Sequence, residues 1–196
     1  MKLNADTGPR GLGQNPRVGR ATRLLNTGLV AFFTLGQAQA NMSMPGMQTS
    51  MVTQLRGLRG QAFDVAWSKA MMDHHAAAVA MARTEVQKGK NEQVKKAATA
   101  VIADQTREIT LMQGWLRQWN QPAYTPAVKL TAPAAGMSTD RWFLTEMIPH
   151  HQGAVAMSQL APGRSQNAAV RSLSLQIVAA QSGEIRQYRT WLKTIR

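Results

Sequence analysis

The four histidines of this chain fall into two adjacent pairs, His74-His75 and His150-His151, set 76 positions apart. Neutral imidazole is a common metal ligand and titrates near neutral pH, so such pairs suit either a metal ion or a proton. The surroundings repeat as M-x-x-H-H-x-x-A-V-A-M, with Met71, Ala78, Val79, Ala80 and Met81 matching Met147, Ala154, Val155, Ala156 and Met157. At the same offset, Gln105, Glu108, Ile109, Trp115 and Leu116 match Gln181, Glu184, Ile185, Trp191 and Leu192. The chain is a duplicated unit carrying its histidines in register.

The methionines add a second donor type. Met71, Met81, Met147 and Met157 flank the histidine pairs at helical spacing, where they can pack or present a thioether. Met42, Met44, Met47 and Met51 lie among Ser, Gly, Pro, Gln and Thr and are candidate ligands of a different kind, on a segment without an evident core face. Thioethers favour Cu(I), whereas imidazole also serves Cu(II) and zinc. The chain has no cysteine, so any soft metal site must use methionine.

Four helical segments are expected to position these groups, at about 62–88, 91–119, 139–160 and 167–195. Gly89 suits the first stop, Asn91 the cap of the second, and Ser138 or Thr139 the cap of the third. Pro162-Gly163 punctuates the end of the third segment. Residues 120–138 contain Pro122, Pro126 and Pro133 and read as a linker between repeats 62–119 and 139–196. Short turns within each repeat make antiparallel hairpins, and two hairpins make an all-α, ferritin-like four-helix bundle over 62–196.

At 100° per residue, Trp67, Met71, Ala78, Val79 and Ala82 share one arc that also holds His74 and His75. Val94, Ala98, Val101, Ile102, Ile109, Met112, Trp115 and Leu116 define the arc of the next helix, with Gln105 and Glu108 inside it. The offset places Gln181 and Glu184 likewise. Counting back from the turn near residue 90 puts His75 level with Gln105 and Met72 with Glu108. Each repeat is therefore expected to hold its own His-His-Gln-Glu cluster, the glutamines and glutamates orienting the imidazoles from a second layer. Adjacent helical residues diverge by about 100°, so one pair does not chelate an ion by itself. Asp64 and Asp140 also point inward, as ligands, caps or partners of a basic residue.

Residues 1–40 are basic, with an apolar run over 24–36 and then Ala38-Gln39-Ala40, the pattern of a secretory signal peptide cleaved after Ala40. The run is shorter than the roughly 20 residues of a membrane span, so no span is expected after cleavage. Residues 41–61 read as a flexible, Met-rich tail. From residue 41 onward, 18 basic residues face 9 acidic ones, but they are scattered and accompany no nucleic-acid-reading motif. A solvated basic surface is expected, not a nucleic-acid site.

The paired motifs resemble the domain-of-unknown-function 305 family, marked by M-I-P-H-H-x-x-A-x-x-M and a following Q-x-x-E-I-x-x-M-x-x-W-L helix. The first stands at Met147 to Met157 and, with Asp73 for the proline, at Met71 to Met81; the second stands at Gln105 to Leu116 and, with Tyr188 for the methionine, at Gln181 to Leu192. The resemblance implies a ferritin-like bundle exported in bacteria, with some members tied to copper binding and resistance. It implies no established enzyme activity.

The expectation is an exported protein that binds copper, as Cu(I) or Cu(II), and sequesters or transfers it in the periplasm or cell envelope. Its partners would be the metal ion and a copper donor or acceptor protein. A metal-free structural or interaction bundle is the first alternative. A metal-dependent oxidase is the second, but Glu146 precedes His150 by four residues and matches Ala70, so the Glu-x-x-His of di-metal carboxylate bundles is missing. No nucleophile–base pair is visible, which favours binding over catalysis.

Overall fold

The computed structural model describes residues 44–128, 130 and 132–195, with side chains from residue 50 onward. The expected signal peptide and Met42 lie outside the described residues, as do the side chains of Met44 and Met47. Among the described residues there are six helices and no strand: α1 (Met44–Arg56), α2 (Gly60–Lys88), α3 (Glu92–Gln118), α4 (Thr139–Ser158), α5 (Ala161–Arg164) and α6 (Ala168–Trp191). None is long and apolar enough to cross a membrane.

The helix starts follow from side-chain caps placed by the duplication. Asn91 Oδ1 accepts from the Gln93 and Val94 N–H groups at 3.0 and 3.3 Å. Its counterpart Asn167 accepts from Ala169 and Val170 at 2.9 and 3.3 Å. Each cap satisfies amides that the first turn leaves open, worth about 1 kcal/mol. Ser138 Oγ accepts from Arg141 N at 3.3 Å and starts α4. Gly89 ends α2 with φ −63°, its N–H bonded to Glu85 O at 2.7 Å. Glycine is required there by space, because a Cβ would overlap the Glu85 carboxyl.

α2 pairs with α3 and α4 with α6, and the two hairpins join where α2 crosses α4 antiparallel. The expected all-α bundle of two repeated hairpins is what forms. Asp140, at the start of α4, accepts from Lys90 N at 3.0 Å and Asn91 N at 2.8 Å, closing the turn of the other repeat. Asp64 faces Ser165 and Arg171 at the corresponding turn of repeat two. These two aspartates tie the repeats to each other at opposite ends of the crossing.

One segment departs from expectation. Residues 41–61, expected as a flexible tail, contain α1, which lies against α4 and α2. Met51, Val52, Leu55 and Leu58 recur at helical spacing, and Met51 and Leu55 are buried in the core. That spacing outweighs the polar composition of the neighbours, and Pro45 sits in the first turn, where its missing N–H costs nothing. The linker is also anchored. Asp73 accepts from Tyr124 Oη at 2.7 Å and Ala127 N at 2.8 Å, strapping 120–128 onto α2. Burial pushes the Asp73 carboxyl above its ordinary range, against these two bonds.

Candidate metal centre

Most of the arcs read from the sequence are buried, with Ile102 and Ile109 partly so, and the histidines and glutamates they carry meet at mid-bundle. His74, His75, His150, His151, Gln105 and Gln181 are all buried, and so are Met71, Met81, Met147 and Met157. His75 Nε2 lies 2.6 Å from Glu108 Oε2, and His151 Nε2 lies 2.7 Å from Glu184 Oε2. Two copies of one contact agree to 0.1 Å, so the duplication extends to side-chain placement. The contact lies about one turn from the expected register, which set His75 level with Gln105 and Met72 with Glu108. Glu108 and Glu184 keep 15% and 28% of their side chains exposed, while their histidines have none.

The larger correction concerns how the pairs relate. Each repeat was expected to hold its own cluster, but His74 and His150 stack across the α2–α4 crossing, ring centroids 3.6 Å apart. His75 and His151 lie outward of them, at 6.3 and 6.4 Å from their sequence neighbours. The four rings therefore form one layer, ending in Glu108 at one side and Glu184 at the other. Hairpin geometry relates residues within one repeat only. The duplication itself held the missing signal, because residues near a twofold axis meet their own copies.

Burial dominates the chemistry of this layer. Desolvation holds the His74 and His150 imidazoles well below the ordinary value, and the neighbouring histidines push the same way. Both rings are neutral at physiological pH, with a free lone pair each. The Nδ1 atoms of all four histidines, and the Oε1 atoms of Gln105 and Gln181, are buried with no partner in hydrogen-bonding geometry. A buried polar atom left unsatisfied costs about 1–3 kcal/mol.

Methionines cover this layer on both sides. Met71 and Met157 belong to the core cluster toward α1, together with Met51, Met72 and Met112. Met81 and Met147 belong to the cluster at the opposite end, with Trp142, Phe143 and Tyr188. Each pair thus combines one methionine from α2 with one from α4. Among the described residues, no three of His, Cys, Asp and Glu gather as a cation-binding group. Imidazole and thioether are donors that suit a soft ion better than a hard one. The donor set fits copper in its reduced state.

Three further buried residues were not among the candidate site residues. Tyr188 lies 5.8 Å ring to ring from His151 and is buried; desolvation and the Glu184 charge keep its hydroxyl protonated. Glu85 is buried beside Asp140, its carboxyl pushed up to about 8 by burial first and by Asp140 second. Met72 is fully buried one turn before His75. Asp64 and Asp140, left open between ligand, cap and ion partner, sit at the hairpin turns and away from the histidines. Of the candidate tail ligands, only the Met51 side chain lies within the described residues, and it is packed in the core.

The sequence profile described as "Domain of unknown function (DUF305)" matches residues 31–116, 86–139 and 140–196. No curated protein matches the chain. Among solved structures, CopM in its Cu(I)-bound form is 36% identical with a TM-score of 0.61, over 66% of this chain and 95% of that one. CopM in its Cu(II)-bound form is 35% identical with a TM-score of 0.61, over 66% of this chain and 96% of that one. A DUF305 fragment from Deinococcus radiodurans is 29% identical with a TM-score of 0.58, over 67% of this chain and 96% of that one. CopM has also been solved with silver bound, so soft-metal binding occurs among proteins of this fold and sequence type. With profile matches running from residue 31 to residue 196 and the paired-histidine motif present twice in register, this chain belongs to the DUF305 family.

Proposed function

We propose that this protein binds copper in the four-histidine layer and sequesters or hands it on in the periplasm or cell envelope. The observation that carries the reading is the set of four buried imidazoles whose Nδ1 atoms have no hydrogen-bond partner, enclosed by methionines. His74, His75, His150 and His151 are the principal ligands, with Met71, Met81, Met147 and Met157 available to Cu(I). Glu108 and Glu184 orient the outer imidazoles, as carboxylates do for ligating histidines. Gln105 and Gln181, buried one turn before these glutamates on the same helices, are the other candidates for that role. Residues 1–40 support export through their charge, apolar run and small-residue site. The copper-bound forms of CopM support the choice of metal.

The test is titration with Cu(I) against a competing chelator, comparing the protein with its quadruple His→Ala variant. Tight binding by the protein and none by the variant is the expected outcome. Equal binding by both would move the site to methionines outside the layer. No binding by either would leave the histidines as bundle architecture, the metal-free reading.

A further inference from the structure

The two halves of the histidine layer differ in the side chains that surround them. In repeat one, Met72 precedes His75 by one helical turn, and Met112 follows Glu108 by one turn on the facing helix. Both methionines are fully buried and belong to one core cluster with Met71, Met51 and Met157. In repeat two, the same positions hold Ile148 and Tyr188. The outer contacts match, His75–Glu108 and His151–Glu184 agreeing to 0.1 Å, although Pro149 stands inside α4 where α2 has Asp73. Tyr188 is locked in place by rings, 5.8 Å from His151, 6.0 Å from Phe143 and 5.8 Å from Trp191. Tyr188 lies against His151, so its counterpart Met112 takes the equivalent place in repeat one, and Met72 stands one turn before His75 where repeat two has Ile148.

We propose that the halves are unequal sites, with His75, Met72 and Met112 forming the preferred seat for a soft monovalent cation. Residues 148 and 188 set the selectivity of the other half. Sulfur is the softer donor, so a monovalent coinage-metal ion gains from Met72 and Met112 what Ile148 and Tyr188 cannot supply. This inference rests on the copper reading above, and its failure can be told apart from the failure of that reading.

The experiment uses Ag(I), which avoids oxidation, titrated into the full chain with two readouts: stoichiometric affinity by chelator competition, and imidazole 15N shifts. In the wild-type protein the first equivalent should move His75 before His151 and bind at least about tenfold tighter than the second, about 1.4 kcal/mol. The double variant Ile148→Met/Tyr188→Met should bring the two steps together. The control Ile148→Leu/Tyr188→Leu, which alters space but adds no sulfur, should not. Simultaneous shifts of His75 and His151 in the wild type, or equal gains from methionine and leucine, would overturn the inference while leaving copper binding intact. No Ag(I) bound by any form would overturn both.

Discussion

His74 and His150 lie ring to ring across the α2–α4 crossing, centroids 3.6 Å apart and planes tilted by 39°. They occupy equivalent positions in the two repeats, so the local twofold axis passes between them. Residues at such an axis face a copy of themselves, and two like charges there repel strongly in a medium of low dielectric. The two rings therefore cannot both be protonated, and burial holds each well below its ordinary value. That requirement leaves lone pairs where no proton competes for them.

Replacing His74 and His150 together by leucine removes buried nitrogens that lack partners, and apolar replacement of such groups is near neutral or stabilising. We expect the apo variant to unfold within about 2 kcal/mol of the wild type, or to be more stable. The pH dependence has a definite sign. Depressed imidazoles contribute stability that is present above their ordinary value of 6.5 and lost as pH falls below it. The leucine variant should lose less stability between pH 7 and pH 5, as read by urea unfolding at each pH. A large loss of stability at pH 7 would identify the histidines as structural.

Glu85 gives the opposite sign. Its carboxyl is raised from 4.5 to about 8 by burial and by Asp140 beside it. Burial alone would raise Asp140, but the N–H groups of Asn91 and Lys90 hold it below its ordinary value, so it keeps the negative charge. Protonated Glu85 can then donate to Asp140 across the two repeats. Its contribution is complete below pH 4.5, is lost progressively as pH rises to about 8, and changes little beyond. Glu85→Gln keeps the donor and removes the titration. It should match the wild type at pH 4 and exceed it by about 1–3 kcal/mol at pH 8, measured by chemical denaturation. Parallel curves across that range would show that Glu85 is ionised in the folded protein.

Asp73→Ala should free the linker without unfolding the bundle. The substitution removes the acceptor for Tyr124 Oη and Ala127 N, two bonds worth about 1 kcal/mol each. Protease cleavage within 120–128 should accelerate several-fold while helicity is retained. Unchanged cleavage would show that the contact of Lys69 with the Tyr124 ring, at 5.6 Å, suffices to hold the strap.

These tests bear on what a sequence can disclose. Helix positions and buried faces were legible because the apolar arcs, Asn91, Asn167 and the 76-residue offset are local patterns. The His75–Glu108 contact was legible to within a turn, since a hairpin register depends on the turn length and on the true helix ends. The His74–His150 stack was not reached, because it depends on how two hairpins cross, which no spacing within either hairpin states. Glu85 was missed for the same reason: its partner Asp140 belongs to the other repeat. Composition misled at α1, where Gly, Ser and Pro masked the spacing of Met51, Val52, Leu55 and Leu58.

That last correction has a direct test in Leu55. Its side chain is 2% exposed and packs in the core cluster with Phe63, Trp67 and Met157. If residues 44–56 were a free tail, Leu55→Ala would change nothing. Packed as α1, the substitution removes buried methyl and methylene groups and leaves a cavity, costing about 2–5 kcal/mol. Hydrogen exchange should separate local from global effects. Amides of α1 would exchange faster in the variant, while those of α3, which pairs chiefly with α2, would follow mainly the fall in overall stability. Exchange that is unchanged throughout α1 would return 44–56 to the status of a tail.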